Sequence, residues 1–213
     1  MRTNKRVIIL VLVLLAVLAG FEICRAETRY SYQDFKTMVS ELQRDWLVSS
    51  GGTFHTVKDR EYALAQLDKK KWWRFDEARN FVVSMNISWR SASDTPNSFN
   101  SGCGLVFREI DTRNYLEASV NMDGFIRVEG RREKSFLDYG KFYYGKFSLE
   151  AAHNLTLIAN EENVKVLLDG RLIANVREVM FNRTGSVGFC VWSGTNKDYG
   201  TWCGFSDINY YIW

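Results

Sequence analysis

The 213-residue chain has two histidines and one proline, and no stretch of low complexity. Two isolated histidines, His55 and His153, support neither a Ser/His/Asp constellation nor a zinc site, both of which need convergent ligating or proton-carrying groups. A charge imbalance is also missing. Residues 1–26 carry Arg2, Lys5, Arg6 and Arg25 against Glu22, so the whole formal charge of +3 belongs to that segment. The remainder is neutral and lacks the field that gathers nucleic acid or anionic lipid without sequence preference. No apolar run reaches the ~20 residues of a comfortable membrane span.

The longest apolar run is Val7–Gly20, behind the basic Met1–Arg6. With Cys24-Arg25-Ala26 offering small residues three and one before a cut, residues 1–26 are predicted to be a secretory signal peptide. The mature chain then starts near Glu27. The alternative is an uncleaved membrane anchor over residues 7–23. Lipidation at Cys24 is disfavoured, because Ile23 rather than a small residue precedes it. An exported product is secreted or sits on the cell-envelope exterior, where disulfides persist. Cys103, Cys190 and Cys203 remain, which allows three pairings. Cys190 and Cys203 lie on two apolar runs joined by Ser193–Gly200. If that is a hairpin they face each other, and this is the pair expected.

Aromatic residues are abundant, with 14 Phe, 10 Tyr and 7 Trp. Phe35, Met38, Val39, Leu42 and Trp46 fall on one helical face, which predicts an amphipathic helix over Tyr32–Leu47 within a segment 27–52. From 53 to 213 the pattern is strand and turn. Asp123-Gly124 and Asp169-Gly170 stand between alternating runs, a hairpin signal resting on their tolerance of positive φ. In Leu155–Ala159 the residues Leu155, Leu157 and Ala159 share a face, as do Val164, Val166 and Leu168 in the next run. A register slip would turn each set outward. The expectation is an all-β antiparallel sandwich without βαβ units.

The ordered set Gly104-Leu-Val-Phe-Arg108, Asp111…Asn114-Tyr115, Asp123-Gly124-Phe125, Asn154-Leu-Thr-Leu157, Asp169-Gly170, Gly185…Gly188-Phe189 and Phe205-Ser-Asp-Ile208 resembles the concanavalin A-like (laminin G-like) jelly-roll of exported bacterial proteins. The match covers about residues 57–213. The resemblance implies a jelly-roll β-sandwich that either cleaves glycans or binds glycans or proteins. The glucanase branch uses an E-x-D-x-x-E strand, which would aim every acid into one cleft. No such motif occurs here. Glu161-Glu162 and Asp76-Glu77 are adjacent pairs, so their carboxylates point to opposite faces. Asn100-Ser101-Gly102 is similar to the keto-disaccharide hydrolase-like group. That group's Glu-Trp-Asn segment is replaced here by Glu150-Ala-Ala-His153-Asn154. No cofactor is expected. Ca²⁺ is the one ion the resemblance implies, with Asp94, Asp111, Asp123 and Asp207 as the oxygen donors in view.

The expected function is therefore an exported, non-catalytic binding module for carbohydrate or an extracellular protein. It would bind no nucleic acid and meet a membrane only through an uncleaved leader. The expected site is the Gly-rich segment Trp192, Asn196, Asp198, Tyr199 and Trp202, whose aromatic rings suit the apolar faces of sugars. The basic-aromatic run Lys69-Lys-Lys-Trp-Trp-Arg74 is expected to be a solvated turn with one Trp buried. The alternatives are a glycoside hydrolase with acids that no motif reveals, identifiable by a carboxylate pair in a groove, and a purely structural surface module.

Overall fold

A computed structural model describes residues 31–213; the expected leader, its cleavage site and the possible anchor lie outside the described residues. Helix α1 spans Tyr32–Arg44. Its start is fixed by a capping box. The Ser31 hydroxyl accepts from the Asp34 amide at 3.2 Å, and the Asp34 carboxylate accepts from the Ser31 amide at 2.9 Å. The helix stops before the expected Leu47 because Trp46 takes a positive φ of 59°. That turn still returns Leu47 to the apolar cluster beside Leu42.

Thirteen strands follow among the described residues: β1 Thr53–Val57, β2 Arg60–Leu64, β3 Lys69–Ala78, β4 Phe81–Ser91, β5 Gly102–Asp111, β6 Asn114–Asn121, β7 Phe125–Arg132, β8 Ser135–Tyr143, β9 Glu150–Asn160, β10 Asn163–Leu168, β11 Arg171–Arg177, β12 Gly185–Ser193 and β13 Thr201–Ile212. One sheet runs β1-β13-β4-β9-β10-β11, with β2 also paired to β13; the second runs β3-β12-β5-β6-β7-β8. Every strand pairing in both sheets is antiparallel. The predicted all-β sandwich is therefore what forms.

Both Asp-Gly pairs join paired strands, but at Asp123-Gly124 only Gly124 has a positive φ, 85°. Asp169 and Gly170 both have positive φ, 51° and 74°, and join β10 to β11. Val164, Val166 and Leu168 pair with Ala159, Leu157 and Leu155, and all six face the common core. One expectation changes. Lys69–Arg74 is not a turn but the first half of edge strand β3, with Trp73 and Phe75 packed inward and Lys70, Trp72 and Arg74 outward. Strand β8 stops at Tyr143. Gly124 O accepts from the Tyr144 and Gly145 amides, which ends β8 and turns the chain.

The disulfide also differs from the expected pairing. Cys103 bonds to Cys203, and Cys190 is free and buried. β12 and β13 are not a hairpin: they belong to opposite sheets. Cys203 points from β13 into the shared core, where Cys103 on β5 meets it. Cys190 points outward from β12, away from both.

Helix α1 lies on the outward face of the first sheet. Phe35 and Val39 pack with Val82, Ile158 and Tyr211, which closes that part of the face. Among the described residues, no α-helix covers the outward face of the second sheet, but the 3-10 turn Ser98–Asn100 lies against β6 and stacks Phe99 on Arg127.

Candidate binding face on the second sheet

Strand register lays out the outward face of the second sheet as rows. One row reads Trp72, Cys190, Gly104, Ser119, Arg127 and Lys141 from β3 to β8, each paired with the next. The adjacent row reads Arg74, Gly188, Val106, Glu117, Glu129 and Asp138. Small residues on β12 and β5 make a low floor between aromatic residues on one side and polar ones on the other. Gly104 has no room for a side chain: an added Cβ would stand 2.1 Å from the Ala118 carbonyl oxygen.

Lys70 crosses this floor. From edge strand β3 its ammonium donates to the Tyr115 hydroxyl at 2.9 Å and to the Glu117 carboxylate, both on β6. Strands lie about 4.8 Å apart, so β3 and β6 would be about 14 Å apart in a flat sheet. The contact is closed by two long side chains reaching toward each other across β12 and β5. The ammonium also sits 4.7 Å from the Trp192 ring centroid, 4.5 Å from Tyr115 and 5.9 Å from Trp72, a three-ring cation–π enclosure. Burial alone would lower the lysine pKa, but Glu117, together with Cys190 and Tyr115, turns the net shift upward. Trp72 is held in place by its indole N–H donating to Glu109 at 3.0 Å. Arg74 grips the same carboxylate with two bonds of 2.6 Å.

Glu117 and Glu129 stand directly opposite each other on β6 and β7. Burial first, and then the Glu117 carboxylate, push the Glu129 carboxyl up to about 7, against the opposing pull of Lys70 and Arg127. Arg127 clamps Asp123 with both terminal nitrogens, at 3.1 and 2.5 Å, while the Phe99 ring lies 3.8 Å above its guanidinium.

Five buried side-chain polar atoms among the described residues lack a hydrogen-bond partner, and four of them belong to this face: Glu117 Oε1, Asn121 Oδ1, Arg127 Nε and Trp192 Nε1. Two accept and two donate. Buried polar atoms without partners are uncommon and costly in folded proteins, and their concentration here singles this face out as the candidate site. A groove of about 450 Å³ opens at the β3 edge, lined by Lys70, Lys71, Trp72, Arg74, Glu109 and Thr112; none of the four unpartnered atoms belongs to its lining.

The residues expected to form the site are dispersed. Trp192 is outward on β12 and belongs to the face just described. Asn196, Asp198 and Tyr199 are exposed on the β12–β13 connection. Trp202 lies on β13, in the other sheet, stacked 4.6 Å from the Arg90 guanidinium. Its neighbours Thr201 and Cys203 are buried, so Trp202 points outward, on the opposite side of the sandwich from Trp192. The two indoles do not share a platform. The sequence places Lys70 and Trp72 in an expected turn and gives no role to Tyr115, Glu117, Asn121, Arg127 and Glu129. Their signal was present: Tyr115, Glu117, Ser119 and Asn121 alternate with the apolar Leu116, Ala118 and Val120.

The candidate calcium donors do not assemble. Asp123 is engaged by Arg127 and Lys141, Asp207 accepts from Asn86, and Asp111 accepts from Asn114. Among the described residues, no three His, Cys, Asp or Glu side chains converge on a point.

No family model matches the sequence, and no curated protein is similar to it. Among solved structures, the chain is similar to the carbohydrate-binding module CBM66 from Bacillus subtilis. The TM-score is 0.55 and the identity 17%, over 73% of this chain and 92% of that one. It is also similar to a Bacillus licheniformis β-glucanase, with a TM-score of 0.50 and 9% identity over 78% of this chain and 100% of that one. Identities this low carry the fold and nothing more: the chain has the concanavalin A-like jelly-roll sandwich.

Proposed function

We propose that the protein is exported and binds carbohydrate, without cleaving it, on the outward face of β3, β12, β5, β6 and β7. The observation that carries this reading is the cluster of buried, unpartnered donors and acceptors beside Trp72, Tyr115 and Trp192. Sugar hydroxyls both donate and accept, and sugar ring faces are apolar, so one ligand satisfies both halves of the face. A solved module of the same fold is named as carbohydrate-binding. The interior disulfide suits an oxidising compartment. Of the residues expected from sequence, Trp192 belongs to this site. Asn196, Asp198 and Tyr199 would at most extend its rim.

Binding is preferred to hydrolysis because Glu117 is already committed to Lys70 and Glu109 to Arg74. One observation favours the second reading: Glu117 and Glu129 form an opposed carboxyl pair, and burial raises the Glu129 member to about 7, as a glycosidase's general acid requires. The test is an oligosaccharide array followed by titration calorimetry and product analysis. Trp72→Ala should weaken binding at least about tenfold with an unchanged melting temperature, and no product should accumulate. Product release that Glu129→Gln abolishes would establish the hydrolase. A purified protein that binds no glycan, or whose binding ignores both Trp72→Ala and Glu117→Gln, would remove this reading in favour of a protein partner or a structural role.

A further inference from the structure

We infer that the groove at the β3 edge takes a sugar bearing a carboxylate or sulfate, its acidic group held by Lys71 and Arg74 and its ring laid against Trp72. This rests on the carbohydrate-binding reading and names the ligand class.

The charges of the groove do not balance. Its lining holds three cations, Lys70, Lys71 and Arg74, against one carboxylate, Glu109. Glu109 is buried and fully engaged. One oxygen accepts from the Trp72 indole and from Arg74 Nη2, and the other accepts from Arg74 Nε. Lys70 is taken by Glu117. Lys71 is exposed and has no carboxylate partner among the described residues. Arg74 is also exposed, and its two bonds to Glu109 leave Nη1 without a partner among the described residues. The unpaired carboxyls of this face, Glu129 and Asp138, stand on β7 and β8 and do not line the groove.

An anion entering the groove therefore displaces no internal carboxylate. It receives charge-assisted hydrogen bonds, which are roughly twice as strong as neutral ones. A neutral sugar meets the same donors without the charge. Trp72 supplies the apolar contact, and its indole N–H bond to Glu109 fixes the ring before a ligand arrives. The volume of about 450 Å³ falls within the ~300–1,000 Å³ of small-ligand clefts. Lysine on an edge strand also deters pairing with another chain. That role needs charge alone and does not account for a groove that Lys71 shares with a fixed indole and a guanidinium with a donor to spare.

The experiment titrates the full exported protein with a uronate oligosaccharide, a sulfated one, and the carboxyl-reduced and desulfated neutral forms of each. Salt is set low and then at about 0.5 M, where charge attraction is largely screened. At low salt at least one acidic form should bind at least about tenfold more tightly than its neutral counterpart, and high salt should shrink that difference to about twofold. Lys71→Gln should weaken acidic binding at least about fivefold and leave neutral binding within about twofold. Its melting temperature should not change, because the residue is exposed. Lys146→Gln removes the same charge from an exposed position beyond β8, at the opposite edge of the sheet, and should leave binding as it is. Neutral forms bound as tightly as acidic ones overturn the inference while leaving carbohydrate binding in place. So does acidic binding that ignores Lys71→Gln or falls equally with Lys146→Gln. No binding of any form overturns the carbohydrate reading itself.

Discussion

Lys70 and Glu117 sit three strands apart in the same sheet and nevertheless form an ion pair. The lysine spans a floor of Cys190 and Gly104 to reach the carboxylate, and Trp72, Tyr115 and Trp192 enclose it. The pair ties the edge of the sheet to its centre and screens one oxygen of Glu117, leaving the other without a partner.

Removing one member should cost more than removing both. Lys70→Met leaves the Glu117 carboxylate buried beside aromatic rings, and losses of this kind run to about 3–5 kcal/mol. The double variant Lys70→Met/Glu117→Gln should recover most of that. Urea unfolding of the two variants checks it, and equal losses would show that the pair contributes little.

Stability should fall as pH rises through neutrality on account of Glu129. Its folded carboxyl titrates near 7, well above an ordinary glutamate, so the folded state holds the proton more tightly than the unfolded chain does. The contribution is complete below about pH 4.3, is lost progressively as pH climbs to about 7, and amounts to roughly 3 kcal/mol at most. Glu129→Gln should remove that slope and be the more stable protein at pH 8. Melting curves of both proteins across this range isolate the effect, since every other group is shared. Parallel curves would show that Glu129 titrates normally.

The Cys103–Cys203 bond joins β5 to β13 across the core, closing a separation of 100 residues. Loop-closure entropy for a span of that size is worth about 4.7 kcal/mol, with measured losses commonly about 2–5. Cys103→Ala/Cys203→Ala should therefore unfold at markedly lower denaturant. Cys190→Ala should shift the midpoint far less, since it breaks no bond.

Burial, followed by the neighbouring Glu117 carboxylate, pushes the Cys190 thiol up well above its usual value. The folded protein should not react with a thiol-specific dye at pH 8, and denaturant should release a single reactive group from the segment 31–213. Rapid labelling of the native protein would show that the trough beneath Trp72 and Trp192 opens.

The sequence by itself determined the two-layer architecture. Period-two alternation in Leu155–Ala159 and Val164–Leu168, together with Asp-Gly pairs that accept positive φ, leaves little choice of fold class, because one face of each strand must leave water. It also set the register of those hairpins. Alternation showed as well that Tyr115, Glu117, Ser119 and Asn121 share a face. It did not show what stands beside that face. Only the tertiary structure, by placing β3 and β12 next to β5 and β6, brought Lys70, Trp72 and Trp192 over Glu117. The same crossing put β12 and β13 in different sheets, which separated Trp192 from Trp202 and gave Cys203 to Cys103 rather than Cys190. Strand order in a jelly-roll is set by contacts far apart in sequence. A site assembled across four strands is therefore decided by packing, while each strand's inward and outward faces are decided locally.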